Sequence, residues 1–354
     1  MAQDVAPLVA FGLGPGILAA GPAPTDSTPI TRRYVNPDLN SLTALVRAAP
    51  PSGERGGRPR ASSGLVSAPG VNLGVACWGV PQLQERRWRR VHALVTVVPA
   101  DPTAGRALRR TFKPSLAERP YVFTKCSPLE GPDRTVTHSL KHDWILREAE
   151  ASLTRLGVEA IDLYQIHWPI PGQDIAEEWA ALAELKDQGL VRHIGVSNFD
   201  VDQLRRIQKI APVETLQPQY SLIERDIEAD ILPYTLKERI GVIVYSPMGS
   251  GVLTGKMTRE RIQRIADDDW RRRDQRFQEP ELSHNLELVE RLTAVAERHD
   301  NTPGAVAVAW TLRNPSVDGA IVGFRRPDQV DPILSAANLE LSDEDAAEIE
   351  GSTR

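Results

Sequence analysis

A lysine, a histidine, a serine–asparagine pair, two glutamines, a tyrosine and an arginine pair stand near the ends of successive short apolar runs. The runs are Tyr121–Cys126, Ile161–His167, His193–Asn198, Glu214–Ser221, Gly241–Pro247 and Gly319–Phe324. Lys125 and His167 are proton carriers. Ser197, Asn198, Gln217, Gln219 and Tyr245 both donate and accept hydrogen bonds. Ser246 and Pro247 lead into Met248-Gly249-Ser250-Gly251. Gly323, Arg325 and Arg326 follow the last run, just before Pro327, where a helix start would favour an anion.

Taken singly, each has an ordinary structural reading. A strand-end lysine is most often a surface residue. His167, before Trp168-Pro169, suits a structural histidine equally well. Ser197-Asn198 fits a helix N-cap. Tyr245 fits a core, and Arg325-Arg326 a solvated pair. Their recurrence at the same end of successive runs is what favours a site.

Elements that would position them follow from periodicity. Helical patterns cover Thr135–Leu156, Ile175–Gln188, Val201–Ile210, Asp230–Glu238, Leu282–His299, Pro303–Arg313, Pro327–Ala337 and Ser342–Glu350. Short apolar strands alternating with helices imply parallel β-α-β units covered on both faces. No Gly-x-Gly-x-x-Gly turn opens any of the helices, which argues against a Rossmann domain. The fold expected is α/β, a (β/α)8 barrel with six strands after residue 119, its first two strands to come from the preceding third. In such a barrel, reacting groups sit at the C-terminal ends of the strands.

The first third reads differently. Residues 1–118 carry a net charge of +7 and half of the 28 prolines, whereas 119–354 carry −12, within a total of −5 over 354 residues. Two units are therefore expected, an atypical Pro/Arg/Gly-rich segment over 1–118 and a barrel over 119–354. The first has two open readings: a divergent, partly disordered extension, with Arg86–Arg90 as a partner patch, or GC-rich code read out of frame, with the frame recovering near Gly105-Arg-Ala-Leu108. The total charge gives no reason to expect nucleic acid. No apolar run reaches 18 residues, so no membrane span is expected. Two cysteines build neither a disulfide framework nor a cysteine-rich zinc site. No basic n-region marks a secretory signal, and a cytoplasmic protein is expected.

Six collinear segments resemble the aldo/keto reductases: Ile161–Pro169, Gly195–Phe199, Gln217–Tyr220, Tyr245–Gly249, Gly251–Lys256 and Gly323–Pro327. The resemblance implies a (β/α)8-barrel oxidoreductase with a nicotinamide cofactor, NADPH, and a small carbonyl substrate. It makes Lys125 the lysine that lowers the pKa of a catalytic tyrosine and His167 the histidine that orients the carbonyl. It gives Ser197, Asn198 and Gln217 to the nicotinamide carboxamide and Tyr245 to ring stacking. Ser246 to Gly251, with Leu253, would line the pyrophosphate. Arg325 and Arg326 would meet the 2′-phosphate of NADPH, and Gln329 the adenosine phosphate. Ile333 replaces an asparagine that often contacts adenine.

One departure bears on activity. The family's aspartate and catalytic tyrosine precede the lysine, and that pattern is absent. Ahead of Lys125 the tyrosines are Tyr34 and Tyr121. If Gly70–Ala76 is the aspartate strand, Val75 and Val80 take the two positions. Two readings follow: a reductase impaired by its incomplete catalytic set, or a non-catalytic NADPH-binding barrel acting as sensor or accessory subunit.

Overall fold

In a computed structural model, the residues described are 74–77, 94–97, 121–126, 129–130, 136–137, 141–170, 172, 174–267, 269–323 and 329–351. Eight strands close a barrel: β1 (Gly74–Cys77), β2 (Leu94–Val97), β3 (Tyr121–Cys126), β6 (Ile161–Ile166), β7 (Val191–Ser197), β8 (Thr215–Gln217), β9 (Gly241–Tyr245) and β10 (Gly319–Gly323). Between β3 and β6 lies a two-stranded hairpin, β4 (Leu129–Glu130) with β5 (Val136–Thr137). The helices are α1 (His142–Leu156), α2 (Ile175–Asp187), α3 (Val201–Ile207), α4 (Ile231–Glu238), α5 (Arg259–Gln263), α6 (Glu281–Arg298), α7 (Pro303–Leu312), α8 (Val330–Leu334) and α9 (Asp343–Glu350).

From β2 through β3, β6, β7, β8 and β9 to β10, every neighbouring pair is parallel. The first third does supply the two closing strands. One runs against expectation: β1 is antiparallel to both β10 and β2. Closure needs only that the facing backbone donors and acceptors be paired, and an antiparallel strand pairs them as well as a parallel one. The strand beside the lysine strand is β2, Leu94-Val-Thr-Val97. Val75, on β1, is therefore not in the strand neighbouring β3, and Val80 lies outside the described residues. The supposed alignment of Gly70–Ala76 with the aspartate strand does not place that segment next to Lys125.

Strand parity divides the interior. Tyr121, Phe123, Leu163, Ile243 and Ile321 share one face and pack together inside the barrel. The alternate residues face the helices. There Ile145 and Ala149 of α1, Trp179, Leu182 and Leu185 of α2, and Ile194 and Val196 of β7 make one core. Val242, Val244 and Val322 make another with α6 and α7. The α7 helix is apolar all round and buried from Gly304 to Leu312, as a core helix should be.

Helix starts follow their caps. Asp174 accepts from Ala176 N at 3.0 Å, and Asp200 makes a reciprocal box with Gln203. The expected helix over 135–156 starts only at His142, because Val136–Thr137 pair in the hairpin. The helix expected over 327–337 is α8 followed by a 3₁₀ turn at Ser335–Asn338, and Pro327 lies outside the described residues.

Candidate active site

Lys125 is the fifth residue of β3 and faces inward by parity. Its register partner is Gln165 of β6. Only 8% of its surface is exposed, and burial lowers its pKa from 10.5 to about 8. A desolvated ammonium is disfavoured, and among the described residues no acid offsets that cost. His167 follows β6 directly, and its backbone N–H donates to Cys126 O at 3.3 Å. The two proton carriers thus stand at adjacent strand ends.

A polar chain crosses the lumen beside them. Gln165 Nε2 donates to Thr215 Oγ1 (3.3 Å) and Val196 O (3.4 Å). Its Oε1 accepts from Gln217 Nε2 at 3.0 Å. Ser197 Oγ donates to Gln217 O at 2.7 Å. Asn198 Nδ2 donates to His167 O (3.1 Å) and Ser197 Oγ (3.0 Å). Tyr245 O–H donates to Asn198 Oδ1 at 2.9 Å. Burial pushes the Tyr245 phenol up, with Glu224 adding to the effect, so it stays a neutral donor. Room for the chain exists because residue 195 is glycine: a Cβ there would lie 2.7 Å from the Thr215 carbonyl oxygen.

Ser197 and Asn198 do not cap the following helix. Asp200 does, which removes the capping explanation for the pair. Asn198 instead takes a left-handed φ of 62°. Ser246 (56°), Gly249 (55°), Ser250 (56°) and Gly251 (101°) do likewise past β9. Left-handed non-glycine residues cost on the order of 1–3 kcal/mol each and cluster where a site requires them. A Cβ at Gly251 or at Gly323 would meet nothing within 4 Å, so open space borders both.

Hence Lys125, His167, Ser197, Asn198, Gln217, Tyr245, Ser246, Pro247, Met248, Gly249 and Gly251 gather at one end of the barrel. Gly323 closes β10 at the same end, and Gln329 is half-buried at the residue preceding α8. Arg325 and Arg326 lie outside the described residues. The side chains of two further positions named by the resemblance lie in the core. The Leu253 side chain is fully buried in the α6–α7 core, and Ile333 packs there too. Tyr121 starts the lysine strand, roughly 13 Å below Lys125 at about 3.3 Å per residue, so it cannot serve as its partner.

Sequence reasoning missed Gln165, although its parity with His167 places it in the lumen. It also missed Arg276, which Asp274 holds 3.7 Å from Glu224, over the Trp270 ring. Both Glu224 and Arg276 act electrostatically on Tyr245. No periodic pattern marks that loop.

The closed barrel with a polar cluster at the C-terminal ends of its strands is an α/β-barrel scaffold, and the sequence comparisons assign its family. The pattern of the aldo/keto reductase family matches residues 98–354, and the chain belongs to that family. The match begins ahead of residue 119 and includes the connection into β3. An aldo-keto reductase of Bacillus subtilis is 39% identical over 206 residues, 58% of this chain and 62% of that protein. The chain thus spans less than two thirds of that relative. An NADH-specific methylglyoxal reductase of Escherichia coli is 34% identical over 256 residues, 68% of this chain and 76% of that protein. A solved glycerol dehydrogenase of Gluconobacter oxydans superposes with a TM-score of 0.67 at 34% identity, covering 73% of this chain and 80% of that one.

Proposed function

We propose that this protein moves a hydride between a nicotinamide dinucleotide and an aldehyde or ketone. The observation that carries the reading is the convergence of Lys125 and His167 with the Ser197–Asn198–Gln217–Tyr245 network. The left-handed turns beside open space at Gly251 suit a close-lying phosphate group. The bound dinucleotide would supply or accept the hydride. Ser197, Asn198 and Gln217 offer an amide its hydrogen-bonding partners, and the Tyr245 ring offers a flat face. NADPH is the preferred dinucleotide because Arg325 and Arg326 follow β10, and a guanidinium fork suits a phosphate dianion.

Reduction builds negative charge on the carbonyl oxygen, which requires a proton. With a pKa of about 8, the Lys125 ammonium is well matched to donate it near neutral pH. His167 would orient the same oxygen. Since β2 reads Leu-Val-Thr-Val, no phenol or carboxylate on that strand assists, and turnover is expected to be slow. That same strand is what favours the second reading, a barrel that binds NADPH without turning it over. A cytoplasmic setting belongs to the proposal, since Cys126 is a free, buried thiol of the kind reducing compartments keep.

The test has two stages. NADPH and NADH are titrated against intrinsic tryptophan fluorescence, and loss of NADPH absorbance is then followed with 4-nitrobenzaldehyde. Binding with turnover supports the reductase. Binding without turnover leaves the accessory barrel, and absence of binding refutes both. Tighter binding of NADH than NADPH would remove the role given to Arg325 and Arg326.

A further inference from the structure

Among the described residues, the barrel interior holds an amine with no acidic partner. The described positions that share the inward parity of Lys125 near the C-terminal end are Gln165, His167, Gly195, Ser197, Thr215, Gln217, Tyr245 and Gly323. None is acidic. The Gln165 amide beside Lys125 is already committed to Gln217, Thr215 and Val196. Beneath them Phe123, Leu163 and Ile243 make an apolar floor. The described residues of β2, Leu94-Val-Thr-Val97, include neither a phenol nor a carboxylate. Among the described residues, no charged group is paired with the Lys125 amine, and burial alone shifts its pKa.

We propose that Lys125 Nζ is a covalent site for small aldehydes, with which it condenses to an imine at the C-terminal end of the barrel. The nitrogen lone pair forms a C–N bond to the carbonyl carbon, and the carbonyl oxygen takes a proton to give a carbinolamine. The hydroxyl then leaves as water after a second protonation, and the nitrogen loses its remaining proton. Amine and aldehyde give imine and water, so no electrons change hands and no co-reactant is needed. His167, at the next strand end, is placed to carry the protons. Burial favours the neutral amine that must attack, since it holds the Lys125 pKa near 8. The titratable neighbour facing it from β6 is His167. From β7 to β9 it faces Ser197, Gln217 and Tyr245, which are uncharged near neutral pH. The apolar floor of Phe123, Leu163 and Ile243 favours aldehydes that carry an apolar chain.

This inference rests on the proposed carbonyl site but not on dinucleotide binding. The full-length protein, without dinucleotide, is incubated with propionaldehyde and sodium cyanoborohydride across pH 6.5–10. Alkylation is mapped by peptide mass spectrometry. Lys186, Lys209, Lys237 and Lys256 are exposed and serve as internal references. At pH 7.5 Lys125 is expected to be labelled at least about tenfold faster than any of them, because an ordinary lysine is almost wholly protonated there. Its labelling should reach half its maximum near pH 8. A Lys125→Arg protein should lose that adduct and keep slow labelling of the reference lysines. Labelling of Lys125 no faster than of the references overturns the proposal, and the wild-type mapping decides this even if the variant fails to fold. Failure here alongside NADPH consumption in the reductase assay would remove the imine and leave the reductase standing.

Discussion

The two ends of this barrel treat charge in opposite ways. At the N-terminal end, carboxylates pair with basic groups and with strand amides. Asp162 Oδ2 accepts from Val122 N at 2.8 Å while its Oδ1 meets Arg192 at 2.9 Å. Glu214 accepts from Ile194 N at 2.9 Å and pairs with His193 and Lys186, each at 2.8 Å. Burial works to raise the Glu214 pKa, but the hydrogen bonds from His193, Lys186 and Ile194 hold it below the ordinary value. Asp318 Oδ2 likewise accepts from Val242 N at 2.8 Å. At the C-terminal end Lys125 is buried, and among the described residues no acid acts on it. One end is built for stability. The other buries a lysine whose pKa falls to about 8, at the face where such barrels place their chemistry.

The largest effect should come from breaking the second end. Lys125→Met removes the proton donor, and carbonyl reduction should fall by about 10²–10⁴-fold. The same change should stabilise the fold. The folded pKa, about 8, lies below the unfolded value of 10.5, so the folded state resists protonation between them. The cost is present in full below pH 8 and fades as pH rises toward 10.5. At pH 7 the variant should be more stable by about 3 kcal/mol, by linkage. Paired measurements of kcat/KM and urea denaturation check this. A variant that loses activity and stability together would contradict the division between the ends.

Glu178 sharpens the contrast from the helix layer. It is 1% exposed on α2, and among the described residues neither carboxylate oxygen has a hydrogen-bond partner. Burial pushes its pKa from 4.5 up to about 8, with Asp174 and Glu177 adding to the rise. The folded state therefore holds a proton that the unfolded chain releases. Stability should fall as pH rises from about 4.5 to 8 and level off above. Glu178→Gln should flatten that slope and stabilise the protein by about 3 kcal/mol at pH 7. Thermal melts from pH 5 to 9 would show it. Parallel slopes for variant and wild type would mean that the carboxyl is ionised in the fold.

Asp162→Ala tests the first end. It leaves the Val122 amide, on a buried strand, without its acceptor. The Arg192 side chain is 44% exposed, so little is added by losing that ion pair. Stability should drop by about 2 kcal/mol, with kcat unchanged within about twofold. A fall in kcat matching a catalytic substitution would show that the two ends are not separable.

How much of this was legible in the sequence depended on whether a signal was local. The six strands from Tyr121 onward carry dense β-branched runs, and their parity alone points Lys125, Gln165 and Ser197 the same way. Ser197-Asn198 reads as the cap of the helix at Val201, whereas Asp200 holds it through a box with Gln203, so the helix start was legible but its capping residue was not. The hairpin at 129–130 and 136–137 was not legible either, since Val136 and Thr137 fit a helical pattern as readily as a two-residue ladder. The antiparallel direction of β1 was out of reach, because a four-residue strand pairs either way and its partners are remote in sequence. The burial of Leu253 was equally hidden: Gly251-Val-Leu-Thr reads as a loop, and only the packing of α6 and α7 against it turns the side chain inward.

The smallest effect probes how the network at the C-terminal end holds its shape. Tyr245→Phe removes one hydroxyl and keeps the ring. That hydroxyl donates to Asn198 Oδ1 at 2.9 Å and lies 3.4 Å from Gln219 Oε1. Asn198 sits in the left-handed region and is also tied to His167 O and Ser197 Oγ, so it keeps two of its three side-chain bonds. Loss of a single neutral hydrogen bond should cost about 1 kcal/mol of stability. The face offered to the dinucleotide is unchanged, so NADPH affinity should stay within about threefold of wild type. Tyr245→Ala removes the face as well, and affinity should fall by about tenfold, the order expected for a lost aromatic contact. If the phenylalanine variant loses as much affinity as the alanine one, the hydroxyl rather than the ring is what Tyr245 contributes. The network, and not stacking, would then be the feature that sets this end of the barrel apart from the other.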